Sequence, residues 1–521
     1  MKDPGHWLVS PWRRSVVAAL AGALPVLAFP APSWWWFAYL ALVPWMLLAR
    51  SAPTGGRAAL DGWWGGFGFL VAVHHWLLPS LSVFIFLIAA LLGALWAPWG
   101  WLVRRFLGGT PGPGRVAGAL CVLPSGWLMV ELVRSWQGLG GPWGLLGSSQ
   151  WQVTPALRLA SVGGVWLLSF LVVTVNVAVT ALIAVRAARV PALAGLVATA
   201  AVGSAAWLWA PRPEVTDRVR IAVVQPGVVT GPDQRFAREE RLTRALAGQH
   251  PDLVVWGESS VGHDLADRPD LTRRLAALSR ETGADLLVNV DAPRSDRPGI
   301  YKSSVLVGPD GLTGDRYDKM RLVPFGEYIP ARSLLGWATS VGKAAGEDRR
   351  RGSEQVLMDV GHGLRIGPLI CFETAFPDMS RHLASDGAQV LVAQSSTSSF
   401  QHSWAPPQHA SLAALRAAET GRAVVHATLT GDSAVYGAGG RGIGPWLGTG
   451  ADTARVFEVP VATGTTLYVR FGDWPVRGAL LVLAGWAVAE GARALRLRRS
   501  VPAPPAPPAR TVRDSPVRHG R

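Results

Sequence analysis

The chain has 521 residues, 49% of them hydrophobic, with 25 Trp and a formal net charge of +15. That length holds an enzyme domain beside a membrane region, and the positive charge does not point to nucleic acid, because the arginines lie between and after apolar blocks, where membrane topology accounts for them. Only two cysteines occur, Cys121 and Cys371, the first inside an apolar block; no disulfide, Cys/His metal site or cofactor is expected.

Apolar blocks run over residues 15–31, 34–49, 59–78, 81–103, 116–133, 161–185 and 191–210, with one more at 476–492. Each approaches the ~20 residues that cross a hydrocarbon core. The first is followed by no cleavage site, so it reads as a retained span rather than a signal peptide. Basic residues mark alternate connections: Lys2, Arg13 and Arg14; Arg50 and Arg57; Arg104, Arg105 and Arg115; Arg186 and Arg189; and Arg493, Arg496, Arg498 and Arg499. By the positive-inside rule both termini are cytoplasmic and residues 211–475 lie outside. The predicted organisation is a polytopic region over 1–210 with about seven helices, an extracytoplasmic domain over 211–475, a last helix with its basic flank over 476–499, and a disordered Pro/Arg-rich cytoplasmic tail over 500–521.

The connection 134–160 is rich in Trp and Gly and falls on the side of the large domain, so it is expected to form a re-entrant or interfacial floor. Glu131 and Arg134 have the spacing of a helical ion pair. His74 and His75 read as interfacial polar residues, not metal ligands.

From Arg218 the pattern changes to short β-branched runs at 219–228, 252–260, 285–293, 304–311, 364–370, 389–396 and 422–431, punctuated by Gly, Pro and Asp. Helical stretches at 235–248, 271–282 and 407–420 separate some of them, which predicts an α/β domain with a largely buried sheet. Cys371 ends the apolar run LRIGPLI and is followed by Phe372, Glu373 and Thr374, the setting in which a nucleophile is displayed at a strand tip. Glu258 follows VVWG, and Lys319 sits in RYDKMRLVPFGEYIP, a loop held by Pro324 and Pro330. A thiolate, a carboxylate that takes its proton and a cation for the oxyanion would together perform acyl transfer. Taken singly, each has a bland reading: a strand-end Glu or a lone Lys is usually solvated, and a buried Cys is usually inert packing.

Together, VVWGES, YDKMRLVPFGEY and GPLICFE, in that order, resemble the Glu–Lys–Cys signatures of the nitrilase superfamily. VPFGEYIP, LAFPAPSWWWFAYLALVPWMLLA, ELVRSWQGLGGPWGLLGSSQ, AAETGRAVVHATLTGDSAV and YVRFGDWP resemble the membrane branch of that superfamily, the apolipoprotein N-acyltransferases, over nearly the whole chain. The Arg excess is similar to that of high-GC actinobacterial members. The resemblance implies a nitrilase-like αββα sandwich on an eight-helix transmembrane bundle in a bacterial inner membrane. It implies Glu258 as general base, Cys371 as nucleophile, and Lys319 with the Phe372 N–H as oxyanion partners. Glu327 matches the family's second glutamate and would orient Lys319, and Glu373 matches an acidic position with a structural role. The donor would be a membrane phospholipid and the acceptor the N-terminal diacylglyceryl-cysteine of a lipoprotein, joined through a Cys371 thioester; a monomer is expected.

Three departures stand out. Phe372 replaces a frequent Tyr, Lys302 replaces a frequent Asn and reads as a harmless surface change, and 392–406 lacks the family's Asn-Asp-Gly/Ala-Trp segment. Arg332–Gly352 is expected to form a lid in which Leu334, Leu335 and Trp337 touch lipid and Arg349–Arg351 meet headgroups. A membrane-anchored amidase for small C–N substrates shares the three catalytic residues and stays open, as does an inactive scaffold.

Overall fold

The computed structural model describes residues 10–185, 188–336 and 346–499. The expected tail at 500–521 and Trp337 lie outside these residues.

Among the described residues, five helices are long and apolar enough to cross a membrane: Phe84–Leu107, Pro113–Arg134, Thr154–Ala184, Arg189–Trp209 and Trp474–Arg496. The first two expected spans are not straight helices. Pro11–Ala23 passes into a 3-10 turn at Leu24–Ala28, where Pro25 has no N–H to continue the helical ladder. The second block splits into Trp35–Tyr39 and Val43–Arg50, again with a proline, Pro44, at the start of the helix. Arginines from different expected cytoplasmic connections meet at one end of the bundle. Arg14 and Arg57 share the buried Asp61 at 2.8 and 2.9 Å, Arg104 donates to the carbonyl of Ala52, and Arg105 pairs with Glu490 at 3.0 Å.

The large domain contains eleven described strands: β1 (Glu214–Gln225), β2 (Leu253–Trp256), β3 (Asp285–Pro293), β4 (Ile300–Gly308), β5 (Gly311–Asp318), β6 (Met358–Val360), β7 (Leu364–Ile370), β8 (Val390–Ser395), β9 (Ala423–Thr428), β10 (Ala434–Tyr436) and β11 (Thr453–Thr463). They form two sheets, β11-β1-β2-β3-β4-β5 and β10-β9-β8-β7-β6. β1-β2-β3 and β7-β8-β9 are parallel, and every outer strand is antiparallel. The expected runs become β1 to β4 and β7 to β9; β5, β6, β10 and β11 are additions.

Alternation decides the layers, since neighbouring residues of a strand face opposite sides. Leu253 and Val255 pack with Ile366, Val390 and Val425 between the sheets, while Val254 and Trp256 pack on helix Pro269–Thr282 through Leu271, Leu275 and Leu278. Helices Pro377–Ser385 and Ala405–Thr420 cover the other sheet. The order is helix, sheet, sheet, helix. The buried face of Ala405–Thr420 joins one continuous apolar cluster that also holds Trp45, Trp99, Trp127 and Trp143. The domain therefore rests on the helical bundle through its own core.

Candidate active site

Glu258, Lys319 and Cys371 arrive from three strand ends. Residues at the carboxyl ends of parallel strands commonly line α/β sites, and Glu258 follows β2 while Cys371 follows β7. Gly257 makes the first placement possible: a Cβ there would lie 2.0 Å from the backbone nitrogen of Leu429. The Glu258 N–H in turn donates to the carbonyl of Ser395 at the end of β8. Cys371 has φ 52°, a left-handed conformation costly for a residue with a Cβ. Its carbonyl accepts a 2.9 Å hydrogen bond from Nε2 of His409. Burial holds His409 down at about 4, so the ring is neutral and carries its proton on that nitrogen.

Glu373 ties the turn down. Its Oε2 accepts from the N–H of Ile370 at 2.8 Å, and Oε1 accepts from Tyr317 Oη at 2.7 Å and from the N–H groups of Met320 and Arg321 at 2.8 and 3.0 Å. One fully buried carboxylate thus joins the cysteine turn to the lysine loop.

The charged centre is compact. Lys319 Nζ, fully buried, lies 2.8 Å from Glu327 Oε1 and 3.3 Å from Glu258 Oε1. Glu258 and Lys319 are the two charged groups that act most strongly on the Cys371 thiol. Burial raises Glu258, but Lys302 and Lys319 outweigh it and hold the carboxyl at about 2. Burial, reinforced by Glu258, pushes the thiol up to about 12. The proton of the resting site therefore sits on sulfur. Alkylation of Cys371 is expected to keep accelerating above pH 9; a rate that levels off near pH 8 to 9, as for a free thiol, would contradict this protonation state.

Lys302 corrects the surface reading. Its Nζ lies 2.7 Å from Glu258 Oε1, 3.1 Å from Glu327 Oε1 and 3.8 Å from Asp291 Oδ2. Strand alternation carried the signal: Ser304 and Leu306, two and four residues on, face the other sheet, where Ser304 bonds Gln394. Lys302 is on the same face of β4, and across the hairpin the Lys319 N–H donates to the Lys302 carbonyl at 2.8 Å.

The Trp/Gly connector forms the floor. Gly141, at φ 70°, lets the loop approach so closely that a Cβ would lie 2.5 Å from the Phe372 ring. Gln137 donates to the carbonyl of Leu322, and Trp143 donates to Gln408 and packs its ring, tilted, against His409. Glu131 and Arg134 do not close on each other as their spacing suggested. Glu131 accepts from the Leu146 N–H, while Arg134 donates to the carbonyls of Trp143 and Gly144, so both shape the floor. The divergent wall also meets the bundle, with Phe400 against Trp76 and Trp404 against His75. Leu334 and Leu335 fall in the short helix Arg332–Leu335. Of the expected headgroup arginines, Arg349 reaches Asp291 at 3.4 Å and Arg351 lies over Tyr328.

Two family models match the chain. One describes the apolipoprotein N-acyltransferase N-terminal domain, over residues 21–178, and the other carbon-nitrogen hydrolase, over 220–457. The chain is 32% identical to the apolipoprotein N-acyltransferase of Geobacter metallireducens, across 91% of this chain and 95% of that protein. It is 32% identical to that of Azotobacter vinelandii across 96% and 99%, and 30% identical to that of Pseudomonas aeruginosa across 93% and 97%. With both halves matched and the likeness spanning nearly the full length, the chain belongs to the apolipoprotein N-acyltransferase family.

Proposed function

We propose that Cys371 carries a fatty acyl chain from a membrane phospholipid to the α-amine of a lipoprotein's N-terminal diacylglyceryl-cysteine. The enzyme is an acyltransferase whose chemistry lies in its carbon-nitrogen hydrolase domain. The observation that carries the residue assignment is the meeting of the thiol, Glu258 and the Lys319 ammonium above a floor built by the apolar half.

In the first half-reaction Glu258 takes the thiol proton as Sγ attacks the ester carbonyl. Lys319 Nζ and the Phe372 N–H stabilise the oxyanion. The acyl C–O bond breaks, Glu258 returns its proton to the leaving oxygen, and lysophospholipid departs from a thioester. In the second, the neutral amine attacks the thioester carbonyl and gives a proton to Glu258. The C–S bond breaks and the proton returns to sulfur, leaving an amide and the resting thiol. Glu327 orients Lys319, and Glu373 holds the turn.

The proposed topology has eight crossings, the broken helices at 11–28 and 35–50 each completing one, with 211–475 outside and both termini in the cytoplasm of a monomer. The Arg332–Asp348 pair, at 2.5 Å, joins the two described ends of the segment proposed as the lid. Confinement of both substrates to one bilayer raises their effective concentration at the thiol.

Exposure of the protein to phospholipid followed by mass spectrometry of the Cys371 peptide tests this reading. The expected product is an acyl adduct removed by hydroxylamine and missing from Cys371→Ala. Turnover of small amides with no lipid-derived adduct would instead support the anchored amidase.

A further inference from the structure

Four ionised groups of the site form a closed square. Lys302 and Lys319 each approach both Glu258 Oε1 and Glu327 Oε1, at 2.7 and 3.1 Å for Lys302 and at 3.3 and 2.8 Å for Lys319. Lys302 is the more accessible corner, its side chain 13% exposed against none for Lys319. Beyond the square, Asp291 is 3.8 Å from Lys302 and is itself met by Arg349 at 3.4 Å.

We propose that Lys302 is a positioning residue of the acyl-transfer site, which clamps Glu258 and Glu327 and supplies the positive charge that balances the tetrahedral oxyanion. The inference rests on the Cys371 mechanism above and deepens it. The formal count makes the case. At rest two ammonium groups face two carboxylates beside a neutral thiol, and the square is neutral. Once Glu258 has accepted the thiol proton, Lys302, Lys319 and Glu327 sum to +1, and the oxyanion brings the total back to zero. Without Lys302 the set carries one uncompensated negative charge at rest and in the intermediate alike, in a buried site where charge is poorly screened, and Lys319 must serve Glu258, Glu327 and the oxyanion together. Each half-reaction passes through such an intermediate, so both gain.

The clamp has a second consequence. An ammonium 2.7 Å from Glu258 Oε1 stabilises the carboxylate, so Glu258 stays ionised well below the ordinary glutamate range. Acid-limb inactivation through this group therefore begins only at low pH. Removing the ammonium returns Glu258 toward ordinary values, and the acid limb moves up.

The test uses the full-length protein in detergent micelles containing phospholipid, and follows single-turnover thioester formation from pH 4 to 9 in wild type, Lys302→Gln, Lys302→Met and Lys302→Arg. Glutamine can still donate a hydrogen bond to Glu258 but has no charge; arginine keeps the charge. The expected result is a rate at pH 7 about 100-fold lower in Lys302→Gln and Lys302→Met. Both should also gain an acid limb within the range that wild type lacks, and Lys302→Arg should recover most of the rate. A Lys302→Gln variant that matches wild type in rate and acid limb overturns the inference, as does a rate loss in Lys302→Met with unchanged pH dependence. Absence of thioester in wild type would overturn the Cys371 mechanism instead, so the two failures are distinguishable.

Discussion

Glu258→Gln should cut single-turnover thioester formation about 1,000-fold, the middle of the range for loss of a general base. The amide is nearly isosteric, so packing beside Gly257 and Ser395 survives while the proton acceptor is gone. The electrostatics change in the opposite sense. Burial and the Glu258 charge are the two largest influences that keep the thiol protonated, whereas Lys319 and Lys302 favour the thiolate. Neutralising Glu258 leaves two ammonium groups facing one carboxylate of the square. Cys371 should then be alkylated faster at pH 7 than in wild type, even as acyl transfer collapses. The uncompensated buried charge should also lower thermal stability by about 3 kcal/mol. Transfer activity within tenfold of wild type would remove Glu258 from the base role. Slower alkylation would contradict the charge balance.

Glu373→Gln should do more to the fold than to the chemistry. Both carboxylate oxygens accept, one from Ile370 and the other from Tyr317, Met320 and Arg321. A glutamine can offer an oxygen to only one side; its NH2 group must face N–H or O–H donors on the other. Leaving one to three buried donors without acceptors costs about 1–3 kcal/mol for each. The loss should total about 3–5 kcal/mol, read as a lower melting temperature in detergent. The turn at Cys371, already in a left-handed conformation, would lose its anchor. Thioester formation should fall at least tenfold, with the same pH dependence as wild type because no titrating partner of the thiol has changed. A variant as stable as wild type would mean that Glu373 does not hold the turn.

The three central side chains were legible because each ends a punctuated strand and because their surrounding motifs resemble one family. Their convergence was not legible in the residues alone. It depends on two sheets packing face to face, which local pattern does not encode. Lys302 was misread for a different reason. Treating a Lys in IYKSS as surface followed composition, although the two-residue period through Ser304 and Leu306 places it inward. β5 escaped because GLTGDRYD is polar with a single buried residue, Tyr317, and its pairing with β4 comes from the hairpin. β11 lies far along the chain from its partner β1 and carries Pro460, which suits only an outer strand. In the apolar half, hydropathy located the blocks but not the breaks at Leu24–Ala28 and Trp35–Tyr39. Glu131 and Arg134 had the correct spacing for an ion pair, yet the backbone of the neighbouring connector offered both of them better partners.

The close approach of Gly141 to the Phe372 ring means that the two halves have no clean seam. Phe372, beside Cys371, is seated on a loop that belongs to the bundle, and His409, which donates to the Cys371 carbonyl, lies against Trp143 from that same loop. A hydrolase merely tethered to a bilayer would tolerate any tether. Here a displacement of that loop would press directly on the Phe372 ring, the residue next to Cys371, so the bundle helps to set the shape of the turn that carries the sulfur.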